Sequence, residues 1–240
     1  MHDQPKRNDM AHLLHIDARA RPGRSGTDAH GSHTRRLSHR FVNRWQAARP
    51  ADTVTYRDVG QHPPAPVGAD WIRSAFTSSA RREPWMDAVL AESDRLVAEI
   101  ERADVLVIGV PMYNFGVPAQ LKAYIDNIVR VGKTFGFDRE RAGEPYWPML
   151  AGRGKQLVLL TARGDYGYGD RLARLDHVTP ALRAAFGYIG IDDAVEVAIE
   201  YDEFGGERLA ASIAQAEAEV DAFVVTTMRR MRDETEALQP

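Results

Sequence analysis

Three stretches of the chain hold residues whose types and spacing suit chemistry. The first ends in Gly31-Ser32-His33-Thr34, at the start of a helical pattern. Hydroxyls beside the unpaired N–H groups of a helix N-terminus make an anion site, and a phosphomonoester carries the right charge for it. Ser32 also suits simple capping, because serine is a favoured N-cap residue. The second stretch is Pro111-Met112-Tyr113-Asn114-Phe115-Gly116-Val117-Pro118. Surface loops favour polar residues, so aromatic side chains here point to a flat apolar partner, or to packing under the next helix or in a subunit interface. A loop stiffened by proline at both ends can present backbone amides to the polar edge of a ring such as isoalloxazine. The third stretch is Ala162-Arg163-Gly164-Asp165, continued by Tyr166-Gly167-Tyr168-Gly169. Its glycines allow close backbone approach to a ligand. Arg163 would either place a positive charge beside an electron-poor ring or stand in solvent.

Other chemistries find little support. There is no GxGxxG and no GxxxxGK[ST], which argues against a standard dinucleotide site and a P-loop. No GxSxG nucleophile elbow occurs. His30 and His33 are spaced like a metal pair on a turn, but no carboxylate stands in register, and no metal is expected. His12 and His15 fall in the first strand and read as core or edge histidines. The chain has no cysteine. Disulfides, thiolate nucleophiles and iron–sulfur clusters are thereby excluded, and redox chemistry would need a bound cofactor. A net charge of −3 gives no basic footprint for nucleic acid. No apolar run reaches the ~18–20 residues that span a bilayer. Residues 1–9 are polar, without the apolar core of a signal peptide, so a cytoplasmic location is expected.

The elements that must position these loops follow from periodicity. Apolar residues make up 44% of the 240 and charged residues 27%, a balance that lets one domain bury a sizeable core. A single domain is expected over 11–232, between a flexible tail at 1–10 and another at 233–240. Strands are expected at 11–17, 52–58, 104–110, 156–161 and 191–199. Helices are expected from 34 onward, where Leu37, Phe41 and Trp45 recur on one face, and at 85–102, 119–131, 177–187 and 207–232. Residues 59–84 read as an irregular excursion with one helical turn near 72–78, and 132–153 as a long connection. Alternating strands and helices imply a doubly wound parallel sheet of five strands, order 2-1-3-4-5, with helices on both faces. Such sheets bind ligands beyond the carboxyl ends of their strands, where the order reverses, and the three stretches lie there.

The second stretch carries a further signal. Pro111 to Pro118, then Gln120-Leu121-Lys122-Ala123-Tyr124-Ile125-Asp126, then Arg130-Val131-Gly132-Lys133-Thr134-Phe135, strongly resembles the FMN-dependent NADH-azoreductases. These belong to the flavodoxin-like superfamily that also holds NAD(P)H:quinone oxidoreductases. The resemblance implies a flavodoxin-like fold and non-covalent FMN. It places Ser32, His33 and Thr34 at the flavin phosphate and Met112, Tyr113, Asn114 and Phe115 at the isoalloxazine. Ala162, Arg163, Gly164 and Asp165 would close the site, with Arg19 and Pro111 completing the cofactor-binding set. The family often has serines where Asp17-Ala18-Arg19 stands, and often S-R-G-G where this chain has Ala162-Arg163-Gly164-Asp165. The implied activity is ping-pong hydride transfer from NADH or NADPH to a quinone or azo compound. The cofactor carries that chemistry, and the proton would come from water or from Tyr113. Residues 59–84 and 138–149, with Tyr146 and Trp147, would shape the acceptor pocket. A homodimer with flavin near the interface is expected, served by part of the apolar stripe Leu121, Tyr124, Ile125 and Ile128. The rival reading is a non-catalytic flavodoxin-like electron carrier or FMN-binding module; balanced charge and aromatic loops favour the enzyme.

Overall fold

The computed structural model of the protein describes residues 10–237. Five strands form one parallel sheet: β1 (His12–Asp17), β2 (Thr53–Asp58), β3 (Val105–Pro111), β6 (Gln156–Ala162) and β7 (Asp193–Ile199), in the order β2-β1-β3-β6-β7. Leaving aside the small hairpin of β4 (Phe135–Phe137) and β5 (Tyr146–Pro148), this is the expected 2-1-3-4-5. β3 and β6 are buried at every position. Their near-continuous Val, Leu and Ile runs suit strands covered on both faces. Pairing sets Asp17 opposite Gly109 and Pro111 opposite Ala162, so the loops after β1, β3 and β6 leave the same end of the sheet.

The period of two divides the sheet into two faces. On one, Leu13, Val107, Val158 and Leu160 meet Leu37, Phe41 and Trp45 of α1 (His33–Ala48) and Val220 of α6 (Gly206–Ala237). On the other, Leu14, Leu106, Ile108 and Leu159 pack against α3 (Pro84–Arg102), α4 (Ala119–Ile128) and α5 (Thr179–Tyr188). α5 starts where it does because the Asp176 carboxylate accepts the Val178 and Thr179 N–H groups, a side-chain cap just ahead of Pro180.

Several boundaries differ from expectation. The excursion after β2 holds α2 (Ala69–Ala75), which begins earlier than the expected turn. The connection at 132–153 contains the β4–β5 hairpin, fixed by Trp147: a Cβ on Gly136 would lie 1.9 Å from its ring. α4 stops at Ile128 because Thr134 Oγ donates to the Ile128 carbonyl and accepts the Arg130 N–H. α6 continues to Ala237, past the expected end at 232. Of the expected N-terminal tail, residues 1–9 lie outside the described residues.

Candidate active site

Ser32 caps α1, its hydroxyl accepting the Arg35 N–H at 3.2 Å and pairing with the Thr34 hydroxyl at 2.9 Å; both residues are fully buried. Gly31 lets the loop fold back on itself, since a Cβ there would stand 2.1 Å from the Arg24 carbonyl carbon. Among the described residues, the His33 and Thr34 N–H groups have no acceptor. Capping and anion binding are therefore compatible: Ser32 satisfies one amide and two others remain for a ligand. Beside them Arg19 is buried, with its Nε lacking any partner.

The sequence reading missed Asp202, which follows β7. Its carboxylate lies 3.3 Å from His33 Nε2 and 3.6 Å from Arg19 Nη1. The hydrogen bond from His33, aided by the charges of His33 and Arg19, holds the Asp202 carboxyl below the usual carboxylate range despite its burial. Asp202 is thus an anionic neighbour already present at the expected phosphate site. The one signal that could have found it is position, because it leaves the carboxyl end of a sheet strand as the other site loops do.

The loop after β3 is a tight turn. Tyr113 and Gly116 exchange backbone hydrogen bonds at 3.1 and 3.0 Å, and the two residues between them have positive φ, 48° at Asn114 and 67° at Phe115. That is the pattern of a type I′ turn, which usually ends its central pair in glycine. Asparagine tolerates this region, whereas a phenylalanine there is an outlier of the kind that collects at functional sites. The Asn114 and Phe115 N–H groups have no acceptor among the described residues, and the Phe115 side chain is exposed. Three anchors hold the turn: Met112 N–H to Ala162 O at 3.0 Å, His177 N–H to Phe115 O at 3.0 Å, and Ala20 N–H to the Tyr113 hydroxyl at 3.3 Å.

The loop after β6 corrects the expectation for Arg163. Its side chain is neither solvated nor free for a ring: it is buried, with Nη2 2.7 Å from Asp176, 2.6 Å from Glu196 and 3.1 Å from the Thr179 hydroxyl. Two carboxylates absorb its charge. What this loop offers is main chain. Gly164 makes room for Glu203, whose carboxyl carbon would be 2.6 Å from a Cβ, and the Asp165 side chain is engaged by Arg171 and the Tyr166 N–H. Asp202 N–H donates to the Arg163 carbonyl, which links the third loop back to the first through Asp202 and Arg19. The structure therefore joins all three loops at one rim.

The α4 stripe is also reassigned. Leu121, Tyr124, Ile125 and Ile128 are all buried within the single chain, so none of them is left over for a partner.

Residues 11–224 match the family described as flavodoxin-like fold. The chain is 42% identical over 209 residues to an FMN-dependent NADH:quinone oxidoreductase 2 of Idiomarina loihiensis, covering 86% of each sequence. It is 35% identical to the protein of that name from Colwellia psychrerythraea, over 90% of this chain and 98% of the relative. Among solved structures, an FMN-dependent NADH-azoreductase from Bacillus anthracis in complex with FMN superposes with a TM-score of 0.77 at 18% identity, over 91% of this chain and 100% of that one. At that identity the likeness shows the fold alone. The rim geometry, the sheet order and the sequence relatives agree, and the chain belongs to the flavodoxin-like family, among its FMN-dependent NADH:quinone oxidoreductases.

Proposed function

We infer that the protein is an FMN-dependent NAD(P)H oxidoreductase that reduces quinones and azo compounds. One observation carries the reading: two pairs of free backbone N–H groups, at His33–Thr34 and at Asn114–Phe115, stand on adjacent loops where the strand order reverses. The first pair, with the Thr34 hydroxyl and the orphaned Arg19 Nε, fits a phosphate. The second pair fits the polar edge of a flat ring. The relatives' names support the same cofactor and the same acceptor class.

FMN, when bound, supplies two-electron transfer between a nicotinamide and an acceptor. The chain supplies position and charge. Ser32 holds the start of α1 rigid, and His33 and Thr34 direct N–H groups along the positive end of its dipole. Asp202 balances the charge of Arg19 and holds His33 by a contact at 3.3 Å. The turn at Tyr113–Gly116 fixes two amides in a conformation the chain would not adopt unaided. The Tyr113 hydroxyl accepts the Ala20 N–H and keeps its own proton free to donate.

A homodimer belongs to the same proposal. With the α4 stripe consumed internally, its support shifts to apolar side chains that the protomer leaves exposed, Ile72 and Phe76 near α2 and Val89 on α3. Among the described residues no helix is long and apolar enough to cross a membrane. A cytoplasmic location, where reduced nicotinamide is held, completes the reading.

The test begins with the visible spectrum of the purified protein and the identity of its heat-released cofactor. NADH consumption with a soluble quinone then separates the enzyme from a passive carrier. Replacing Ser32 and Thr34 together by Ala is expected to weaken FMN binding by roughly 1–3 kcal/mol, the scale of hydrogen bonds to a charged group. Released FAD, or FMN affinity unchanged in the double variant, would overturn the assignment.

A further inference from the structure

A second cluster lies beneath the middle of α1, on the outer side of β1. His15 Nε2 stands 3.5 Å from Asp17 Oδ2, and His39 Nε2 stands 3.6 Å from the same oxygen. The three ligand atoms lie within 4.8 Å of one another. His15 is only 2% exposed and its Nε2 has no hydrogen-bond partner. A buried polar nitrogen left unsatisfied next to a buried carboxylate calls for an explanation, and a missing ion is one of the standard ones.

The spacing matches a metal. Zinc bonds to nitrogen and carboxylate oxygen of about 2.0–2.2 Å put neighbouring ligands of a tetrahedron roughly 3.3–3.5 Å apart. The His15–Asp17 edge has that length at 3.5 Å, and the His39–Asp17 edge, at 3.6 Å, is just beyond it. The remaining histidine-to-histidine edge closes if His39, half-exposed on the helix surface, turns slightly inward. The outer shell is also in place. Ser38 Oγ donates to Asp17 Oδ1 at 2.7 Å and the Tyr56 hydroxyl donates to Oδ2 at 3.0 Å, which fixes the carboxylate plane. The exposed faces of His39 and Tyr56 leave an entry path.

Charge decides whether a cation would be welcome, because Arg35 also approaches Asp17. Its guanidinium is committed elsewhere: Nη1 and Nη2 each lie 2.7 Å from an Asp58 oxygen, against 3.4 Å to Asp17. Asp58 matches the arginine, and the fully buried Asp17 keeps a net negative charge facing two imidazoles. Two nitrogens and one oxygen are a donor set for a late first-row divalent ion rather than for calcium or magnesium.

We propose that His15, Asp17 and His39 form a binding site for a late first-row divalent cation, with zinc as the reference ion and one coordination position open to water or the Tyr56 hydroxyl. Such an ion would pin α1 to β1 and the edge strand β2.

The test uses tag-free, FMN-loaded protein stripped of metal with a chelator and titrated with ZnCl2 by calorimetry. One-to-one binding is expected, with cobalt substitution giving the intense visible bands of a tetrahedral site. His39→Ala, a surface change that spares the fold, and His15→Gln are each expected to weaken zinc by at least about tenfold, a loss seen even when outer-shell partners are removed. His62→Ala, on an exposed loop, should leave it unchanged. No zinc binding at 100-fold molar excess, or equal affinity in wild type and the His39 variant, would overturn the proposal and leave the cluster as a hydrogen-bonded network around a buried carboxylate.

Discussion

The two ends of the sheet are built on opposite terms. At the amino-terminal end, side-chain charges are tied to the ends of the backbone elements: Asp52 accepts the Ala11 N–H and the Trp45 indole, Asp104 accepts the His12 N–H, and the Lys155 ammonium donates to the carbonyls of Glu101 and Ala103. At the carboxyl end, the His33, Thr34, Asn114 and Phe115 N–H groups lack acceptors among the described residues, and the buried Arg19 and Arg163 Nε atoms are orphaned. Every described non-glycine residue with positive φ is there too: His30, Asn114, Phe115 and Tyr201. Strained backbone and unsatisfied donors persist only where surrounding structure over-determines them. One end of the sheet thus stabilises the fold, and the other holds open a site that folding alone does not require.

Arg163 is the exception that tests this division, since it sits at the open end yet its Nη2 is paired with Asp176, Glu196 and Thr179. Replacing it by Met would leave the buried Asp176 facing the half-buried Glu196 with no cation between them. Losing one partner of a buried ion pair costs about 3–5 kcal/mol. Urea unfolding should show that loss in the Arg163→Met variant, while FMN affinity measured on the folded fraction changes little. The opposite outcome, near-native stability with FMN binding lost, would return Arg163 to the ligand.

The turn after β3 should behave in reverse. Inserting one glycine between Asn114 and Phe115 displaces both free amides and breaks the Tyr113–Gly116 pairing. Misplacement by about 1 Å can cost on the order of 10²-fold in rate. Stopped-flow flavin reduction by NADH, normalised to bound FMN, should fall by that order while the melting temperature moves little. A rate within a few-fold of wild type would make the turn a packing feature.

How much of this was legible beforehand depends on the range over which each feature is encoded. The sheet was legible because β3 and β6 are near-continuous apolar runs, and α1 because Leu37, Phe41 and Trp45 repeat at helical spacing. The two aromatics in a loop flanked by prolines were enough to single out the turn. The β4–β5 hairpin was not legible, because three-residue strands carry almost no periodicity and their pairing depends on Trp147 covering Gly136. Asp202 and Asp176 were missed for another reason. Their partners lie far away in sequence, and nothing local distinguishes an acidic residue that will meet Arg19 or Arg163 from one that faces water. Residue type showed that Arg163 had a charge to place; only the packing of α5 and β7 showed that it points inward.

The closed end makes a prediction about pH. Burial pushes the Lys155 ammonium down to about 8. The unfolded chain holds this proton up to its ordinary value near 10.5, so between these limits the unfolded state binds more protons and stability rises with pH. Solvent screening and the two carbonyl acceptors reduce the gain to about 1–2 kcal/mol. Denaturant midpoints from pH 8 to 10 should climb in wild type and stay flat in Lys155→Met. Tyr56 and Tyr124, whose hydroxyls burial pushes up, work in the other direction only above pH 10, where the unfolded tyrosines ionise. A flat wild-type profile would mean that Lys155 stays charged in the fold and that the closed end tolerates a buried ammonium without cost.

The smallest effect is the most diagnostic of strain at the open end. Phe115 holds φ at 67°, where an L-residue pays roughly 1–2 kcal/mol and glycine pays almost nothing. Truncating the ring has its own cost, so Phe115→Gly alone would mix two terms. Comparing Phe115→Gly with Phe115→Ala removes the mixture, because both lose the ring and differ only in Cβ. In ordinary helix or strand positions glycine is the less stable of such a pair by about 0.5–1 kcal/mol. Here the order should invert, with the Gly variant more stable than the Ala variant by about 1 kcal/mol in chemical denaturation. The cofactor measurement should run the other way. A glycine at 115 no longer needs its neighbours to hold it in place and gains freedom in the unliganded turn, so FMN should bind more weakly to the Gly variant than to the Ala variant. If Ala proves the more stable, the turn has relaxed out of the left-handed region and the strain assigned to it does not exist. If Gly is more stable and also binds FMN as tightly, the strain is real but plays no part in holding the amides for the ring.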